Sequence, residues 1–217
     1  MPEKLKIAVL ASGRGSNFQA IINAIRDGYI DVEVACLISD SPKAFALNRA
    51  KEAGIESLYM ASQKHANAND YYGTIATELK DRGVGLICLA GFMRIVKKPL
   101  IDAYPMRIIN IHPALLPSFT GLDGQQKAID YGAKIAGCTV HFVDEGVDTG
   151  PIIVQAATFV YSDDDEESLS QRILNLEHKI YPYAIKLFSE GRLSLKGRVV
   201  SIRDEKKEDG FIISPRL

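Results

Sequence analysis

Short apolar runs alternate with stretches of helical periodicity through the first half of the chain, and no other feature constrains the fold as much. Lys6–Leu10 (KIAVL) is the first such run. Phe18–Asp27 then carries Phe18, Ile21, Ile22 and Ile25 at helical spacing, and Gly28 closes it. Val32–Ile38 is rich in β-formers. Pro42 precedes a helical pattern that ends at Gly54, Glu56–Met60 is the next candidate strand, and Tyr71–Lys80 is helical. Leu86–Ala90 (LICLA) and Ile108–Ile111 are two more buried strands. Strands and helices in this alternation predict an α/β fold with a parallel, doubly wound sheet.

The pattern changes after His112. Pro113–Gly124 is rich in Pro and Gly and too long for a passive turn, so a functional part, such as a lid, is expected of it. Gln125–Tyr131 is a short helix ending at Gly132. Ala136–Phe142 and Pro151–Val160, joined by DEGVDTG, predict an antiparallel hairpin. The acidic run SDDDEES opens a long helix as a solvated cap, where negative charge suits the helix dipole. Pro182 is expected to kink that helix. Residues 192–217 are charged and broken by Gly and Pro, and predict a peripheral strand or two and a loose tail. The expected organisation is one domain over residues 1–193 with a peripheral tail over 194–217.

A chain of 217 residues, 47% hydrophobic and 24% charged, can bury one sizeable core. A formal net charge of −1 gives no electrostatic support for a nucleic-acid partner. Cys36, Cys88 and Cys138 each lie in an apolar run, with no CxxC pair and no zinc spacing among the histidines. They read as buried, reduced thiols in a reducing compartment, so a cytoplasmic location without disulfide or metal is expected. The N-terminal apolar run is too short for a secretory signal. No run reaches the roughly 18 residues of a membrane span.

The turn SGRGSN follows the first strand and opens a helix, where unpaired N–H groups attract anions. Gly13 and Gly15 permit close approach, and Ser16 and Asn17 can cap the helix or donate to a phosphate oxygen. A dinucleotide fingerprint would need Gly where Phe18 stands, and no GxxxxGK[ST] loop occurs. A monophosphate ester on a small substrate fits better than NAD or ATP.

In IINIHPALLP, Asn110 and His112 stand two apart at a strand end and so share a face, at the sheet edge where open α/β folds bind ligands. Asp148, in DEGVDTG, can fold back over that edge. An amide, an imidazole and a carboxylate without a neighbouring Ser or Cys nucleophile suggest direct acyl transfer to an amine. Asn110 and His112 can donate to an oxyanion, and Asp148 can take up protons and orient His112. Either His112 or Asp148 alone could be a satisfied strand-end histidine or a turn former; the combination beside a phosphate loop favours chemistry.

The segments AVLASGRGSNFQAII, LAGFMRIV, INIHPALLPSFTGLDGQQKAI, GCTVHFVDEGVDTGPIIVQ and EHKIYP resemble the phosphoribosylglycinamide formyltransferases of purine biosynthesis, from about residue 6 to 193. The resemblance implies a Rossmann-like, mostly parallel sheet with helices on both faces and a C-terminal antiparallel extension. It implies transfer of the formyl group of 10-formyltetrahydrofolate, a co-substrate, to the amine of 5-phosphoribosylglycinamide. It places Asn110, His112 and Asp148 as catalytic residues. Gly15, Ser16 and Asn17 would hold the substrate phosphate, and Glu177 its ribose. Gly91, Met93, Arg94, Ile95 and Val96, with Asn110, Asp144, Glu145, Gly146, Val147 and Asp148, would form the folate pocket. No metal, nucleic acid or membrane is implied, and a monomer or homodimer is expected.

Methionyl-tRNA formyltransferase shares the NxH and Asp apparatus, but a chain this length leaves no room for its RNA-binding domain, and it lacks the SGRGSN loop. Formyltetrahydrofolate deformylase adds an N-terminal regulatory domain, whereas the catalytic fold here is expected to begin at Lys6. The rival outside enzymes is a non-catalytic phosphosugar-binding protein.

Overall fold

The computed structural model describes residues 4–206, 210 and 214. Its main sheet has seven strands: β1 (Leu5–Leu10), β2 (Val32–Ser39), β3 (Ser57–Tyr59), β4 (Leu86–Leu89), β5 (Ile108–His112), β6 (Ile135–Phe142) and β7 (Ile152–Phe159), in the order β3-β2-β1-β4-β5-β6-β7. The first five are parallel, and β6 and β7 are antiparallel additions beyond β5. This is the expected mostly parallel sheet with an antiparallel extension.

Side chains alternate across the sheet and fill two cores. Ile7 and Val9 of β1, Leu86 and Cys88 of β4, and Ile109 and Ile111 of β5 enter the core that helices α1 (Ser16–Arg26), α2 (Phe45–Glu52) and α6 (Glu166–Ser189) cover. Ala8, Leu10, Ile87, Leu89 and Ile108 face the other way, under α3 (Ala68–Asp81) and α4 (Lys98–Ala103). Asn110 and His112 share the parity of Ile108, so they belong to this second face, beyond its hydrocarbon.

Some local expectations shift. The third strand is only three residues long. Helix α4, with Pro99 in its first turn, was not apparent in the sequence. The short helix after the long loop, α5, spans Gly124–Asp130. The acidic run does cap α6: Asp165 accepts from the Ser168 N–H at 2.8 Å, and the Ser168 hydroxyl accepts from the Asp165 N–H in return. That helix runs unbroken through Pro182. Residues beyond it form a two-stranded hairpin, β8 (Leu193–Lys196) and β9 (Val199–Ile202). The loose tail expected after it lies largely outside the described residues. No helix among the described residues is long and apolar enough to cross a membrane.

Candidate active site

The antiparallel register of β5 and β6 builds the centre of the site. Asn110 pairs with His141, and His112 with Thr139, so all four side chains stand on one face. A register shift between Val140 and His141, against β7, adds local twist beside His141. Gly150 makes the return to β7 possible, because a Cβ there would lie 1.7 Å from the Phe142 carbonyl oxygen.

His112 is 4% exposed. Its Nε2 lies 2.9 Å from the Phe119 carbonyl, and its Nδ1 lies 3.4 Å from Asp148 Oδ2. A carbonyl oxygen only accepts, so Nε2 carries hydrogen. The other ring nitrogen, Nδ1, faces the Asp148 carboxylate. Asp148 Oδ2 also accepts the Gly121 N–H at 2.8 Å, and its Oδ1 lies 3.6 Å from His141 Nε2. Burial pushes the Asp148 carboxyl up, but His141, the Gly121 N–H and His112 outweigh it and hold the carboxyl below its ordinary value.

His141 was not singled out from the sequence. Its Nδ1 donates to the Phe142 carbonyl at 2.8 Å, and its Nε2 lies 3.2 Å from Asn110 Nδ2. Nε2 thus stands beside both the Asn110 amide and Asp148 Oδ1. Asn110 is thereby oriented with its second N–H and its carbonyl oxygen left for a ligand.

These groups line the base of a cavity of about 560 Å3. Gly91, Met93, Arg94, Ile95 and Val96 form one wall, and Asp144, Gly146, Val147 and Asp148 another, with Gly121, Leu122 and Asp123 from the long loop. Gly91 has φ +74°, and the Ser12 N–H donates to its carbonyl at 3.0 Å. The Ser12 hydroxyl accepts the Met93 N–H at 2.9 Å, which ties this wall to the end of β1. Met93, Ile95, Leu122 and Val147 leave apolar side chains exposed at the mouth. Glu145 does not line the cavity: its carboxylate lies 3.3 Å from Lys98 Nζ. No Ser, Thr or Cys stands in the wall. Among the described residues no group of three or more His, Cys, Asp or Glu is arranged to hold a metal ion.

The residues assigned to the acceptor lie outside this wall. Gly15, not Ser16 or Asn17, caps α1, and it does so in the left-handed region without a side-chain bond. Asn17 instead donates from Nδ2 to Glu177 Oε2 at 2.7 Å, which joins α1 to α6. Glu177 is 7% exposed; burial raises its carboxyl and the Asn17 bond only partly offsets that. Asn17 Oδ1 is buried with no partner. Ser16 lines a separate groove of about 570 Å3 between α1 and α6, with Arg49, His178 and Lys179.

An open α/β sheet whose ligand edge carries an amide, two imidazoles and a carboxylate has the build of a transferase that handles small molecules. The chain belongs to the formyl transferase family, whose sequence profile matches residues 5–185. Phosphoribosylglycinamide formyltransferase of Bacillus subtilis (strain 168) is 45% identical over 181 residues, which cover 83% of this chain and 93% of that relative. The crystal structure of glycinamide ribonucleotide transformylase 1 from Symbiobacterium toebii superposes with a TM-score of 0.92 at 49% identity, covering 94% of this chain and 96% of that one. The trifunctional purine biosynthetic protein adenosine-3 of Drosophila melanogaster is 46% identical over 90% of this chain, and the matched segment spans 15% of that relative's length.

Proposed function

We propose that this chain transfers the formyl group of 10-formyltetrahydrofolate to the amine of 5-phosphoribosylglycinamide, giving formylglycinamide ribonucleotide in purine biosynthesis. The observation that carries this is the cluster of Asn110, His112 and Asp148 at the base of one cavity, where the His112 ring faces an acceptor with each nitrogen. The apolar mouth and the backbone of residues 91–96 suit the flat pterin ring of the co-substrate. The turn at Gly15, Ser16 and Asn17 suits the phosphate of the acceptor, and Glu177 its ribose hydroxyls.

The amine nitrogen attacks the formyl carbon, and the carbonyl electron pair moves onto oxygen. Asn110 Nδ2 and the His112 ring donate to that oxyanion, and losing one such donor costs about 3–4 kcal/mol of transition-state stabilisation. Asp148 takes the proton that leaves the attacking nitrogen, directly or through water. The bond from the formyl carbon to the folate nitrogen then breaks, and that nitrogen is reprotonated. The Phe119 carbonyl competes with the oxyanion for His112 Nε2–H, so the loop over Pro113–Gly124 must shift as substrate enters. This work belongs to one cytoplasmic domain over residues 1–193.

Following the absorbance of 10-formyltetrahydrofolate with and without 5-phosphoribosylglycinamide tests the proposal. Loss that depends on the acceptor supports it. Loss without acceptor means a deformylase, and no loss in either case means a binding protein.

A further inference from the structure

The matched family region ends at residue 185, yet the chain continues into the β8–β9 hairpin, which folds back toward the Asp148 loop. The hairpin is a firm unit. Arg203 N–H donates to the Arg192 carbonyl at 2.8 Å, and Arg192 Nε donates to the Arg203 carbonyl at 3.0 Å. Leu193 and Val200 pack their side chains against the main core. At the tip, just past Gly197, Arg198 donates from its guanidinium to the Thr149 carbonyl at 2.7 Å.

Thr149 is the pivot of the loop. Its hydroxyl donates to Asp144 Oδ1 at 2.6 Å, and the same oxygen accepts the Gly146 N–H at 3.1 Å. Between them stands Asp148, at φ +55°, in the left-handed region that few non-glycine residues adopt. Such a conformation persists only where its surroundings hold it. On one side Asp148 is held by Gly121 and the two histidines. On the other, the next carbonyl along the chain is held by Arg198.

We infer that Arg198 is a positioning residue: the C-terminal hairpin fixes the loop that presents Asp148, through the Thr149 carbonyl. This rests on the proposed formyl transfer for its kinetic consequence, but the tether itself is testable without turnover. Without Arg198 the loop samples other conformations, the contacts that hold the Asp148 carboxyl low weaken, and proton removal slows. Binding of the phosphorylated acceptor, on α1 and α6, is untouched.

The test compares Arg198→Ala, Arg198→Lys and the unchanged full-length chain. Hydrogen exchange is expected to quicken several-fold at residues 144–149 in Arg198→Ala, with the β1–β5 core unchanged. Its kcat falls about five-fold with the acceptor KM unaltered, and the acidic limb of its pH–rate profile moves to higher pH. Arg198→Lys, which keeps one donor, recovers part of each effect. Unchanged exchange at 144–149 overturns the tether whether or not the chain turns over. Quickened exchange with unchanged kcat and pH profile overturns the link to Asp148. Failure of the unchanged chain to consume formylfolate in the presence of acceptor overturns the proposed function alone, and the exchange result still decides the tether.

Discussion

Asp148 and Glu177 are both carboxylates out of bulk water, and their surroundings push them in opposite directions. Asp148 has a folded value below the ordinary one, so it adds stability that is present above about pH 4 and is lost as pH falls through the depressed value. Asp148→Asn keeps the Gly121 contact but removes the charge beside His112. The variant is expected to fold and to lose at least about 100-fold in kcat; circular dichroism with steady-state kinetics checks both, and a near-normal kcat removes Asp148 from the proton path. Its Tm should also fall less than that of the unchanged protein on acidification below about pH 4. Glu177 has a raised value, so the stability linked to its protonated form is full below the ordinary value and lost as pH rises through the raised one. Its ionised form is a cost to folding. Glu177→Gln should hold or raise the Tm near pH 7, while KM for the phosphoribosyl acceptor rises about ten-fold, the worth of one charge-assisted hydrogen bond. An unchanged KM would remove Glu177 from the ribose site. That Asn110, His112 and Asp148 meet at one sheet edge was legible in sequence because spacing and turn chemistry are local. His141 was not: in the apolar run GCTVHF it looks like core, and its role comes from lying opposite Asn110 in the β5–β6 register, which no local window carries.

At the level of elements, the turn from β1 into α1 is constrained by α2. Gly15 has φ +68°, and a Cβ there would lie 2.8 Å from Ala46 Cβ and 3.0 Å from Ala46 Cα in α2. Gly15→Ala must both strain the turn and push α2 aside. Thermal melting should show a loss of about 2–3 kcal/mol, roughly 5–10 °C for a chain of this size. A change under about 1 °C would mean that α2 yields freely. The flexibility of the Gly-rich turn was readable in the sequence, but this reason for it was not, since Ala46 lies thirty-one residues on, in another helix. The Ser16 and Asn17 caps failed for a related reason. Propensity favours such residues at a helix start, but tertiary pairing with Glu177 claims the Asn17 side chain. Helix α4 escaped notice because six residues beginning Lys-Pro carry too little apolar period to be seen.

Across the whole molecule, the two cores sequester every thiol. Burial raises Cys36 to about 11 and Cys138 to about 12, and Cys88 further still. A thiol-disulfide reagent at pH 8 should find none of the three in the native protein and all three in denaturant; a fast-reacting native thiol would show that one core opens readily. The alternation of strands and helices was legible because each period is local, and the antiparallel hairpin was legible from its short connection. The pairing of Asn17 with Glu177 that joins α1 to α6 was not. Asn110, His112, His141 and Asp148 come from β5, β6 and the loop that follows, whereas Gly15, Ser16, Asn17 and Glu177 come from the β1 turn and α6. The two sets share no residue. Under the proposed function, descendants of such a chain can drift in what they accept while what they do to it stays fixed. Under the proposed function, changes at Ser16 and Asn17 open a new acceptor to selection while Asn110, His112 and Asp148 stay as they are.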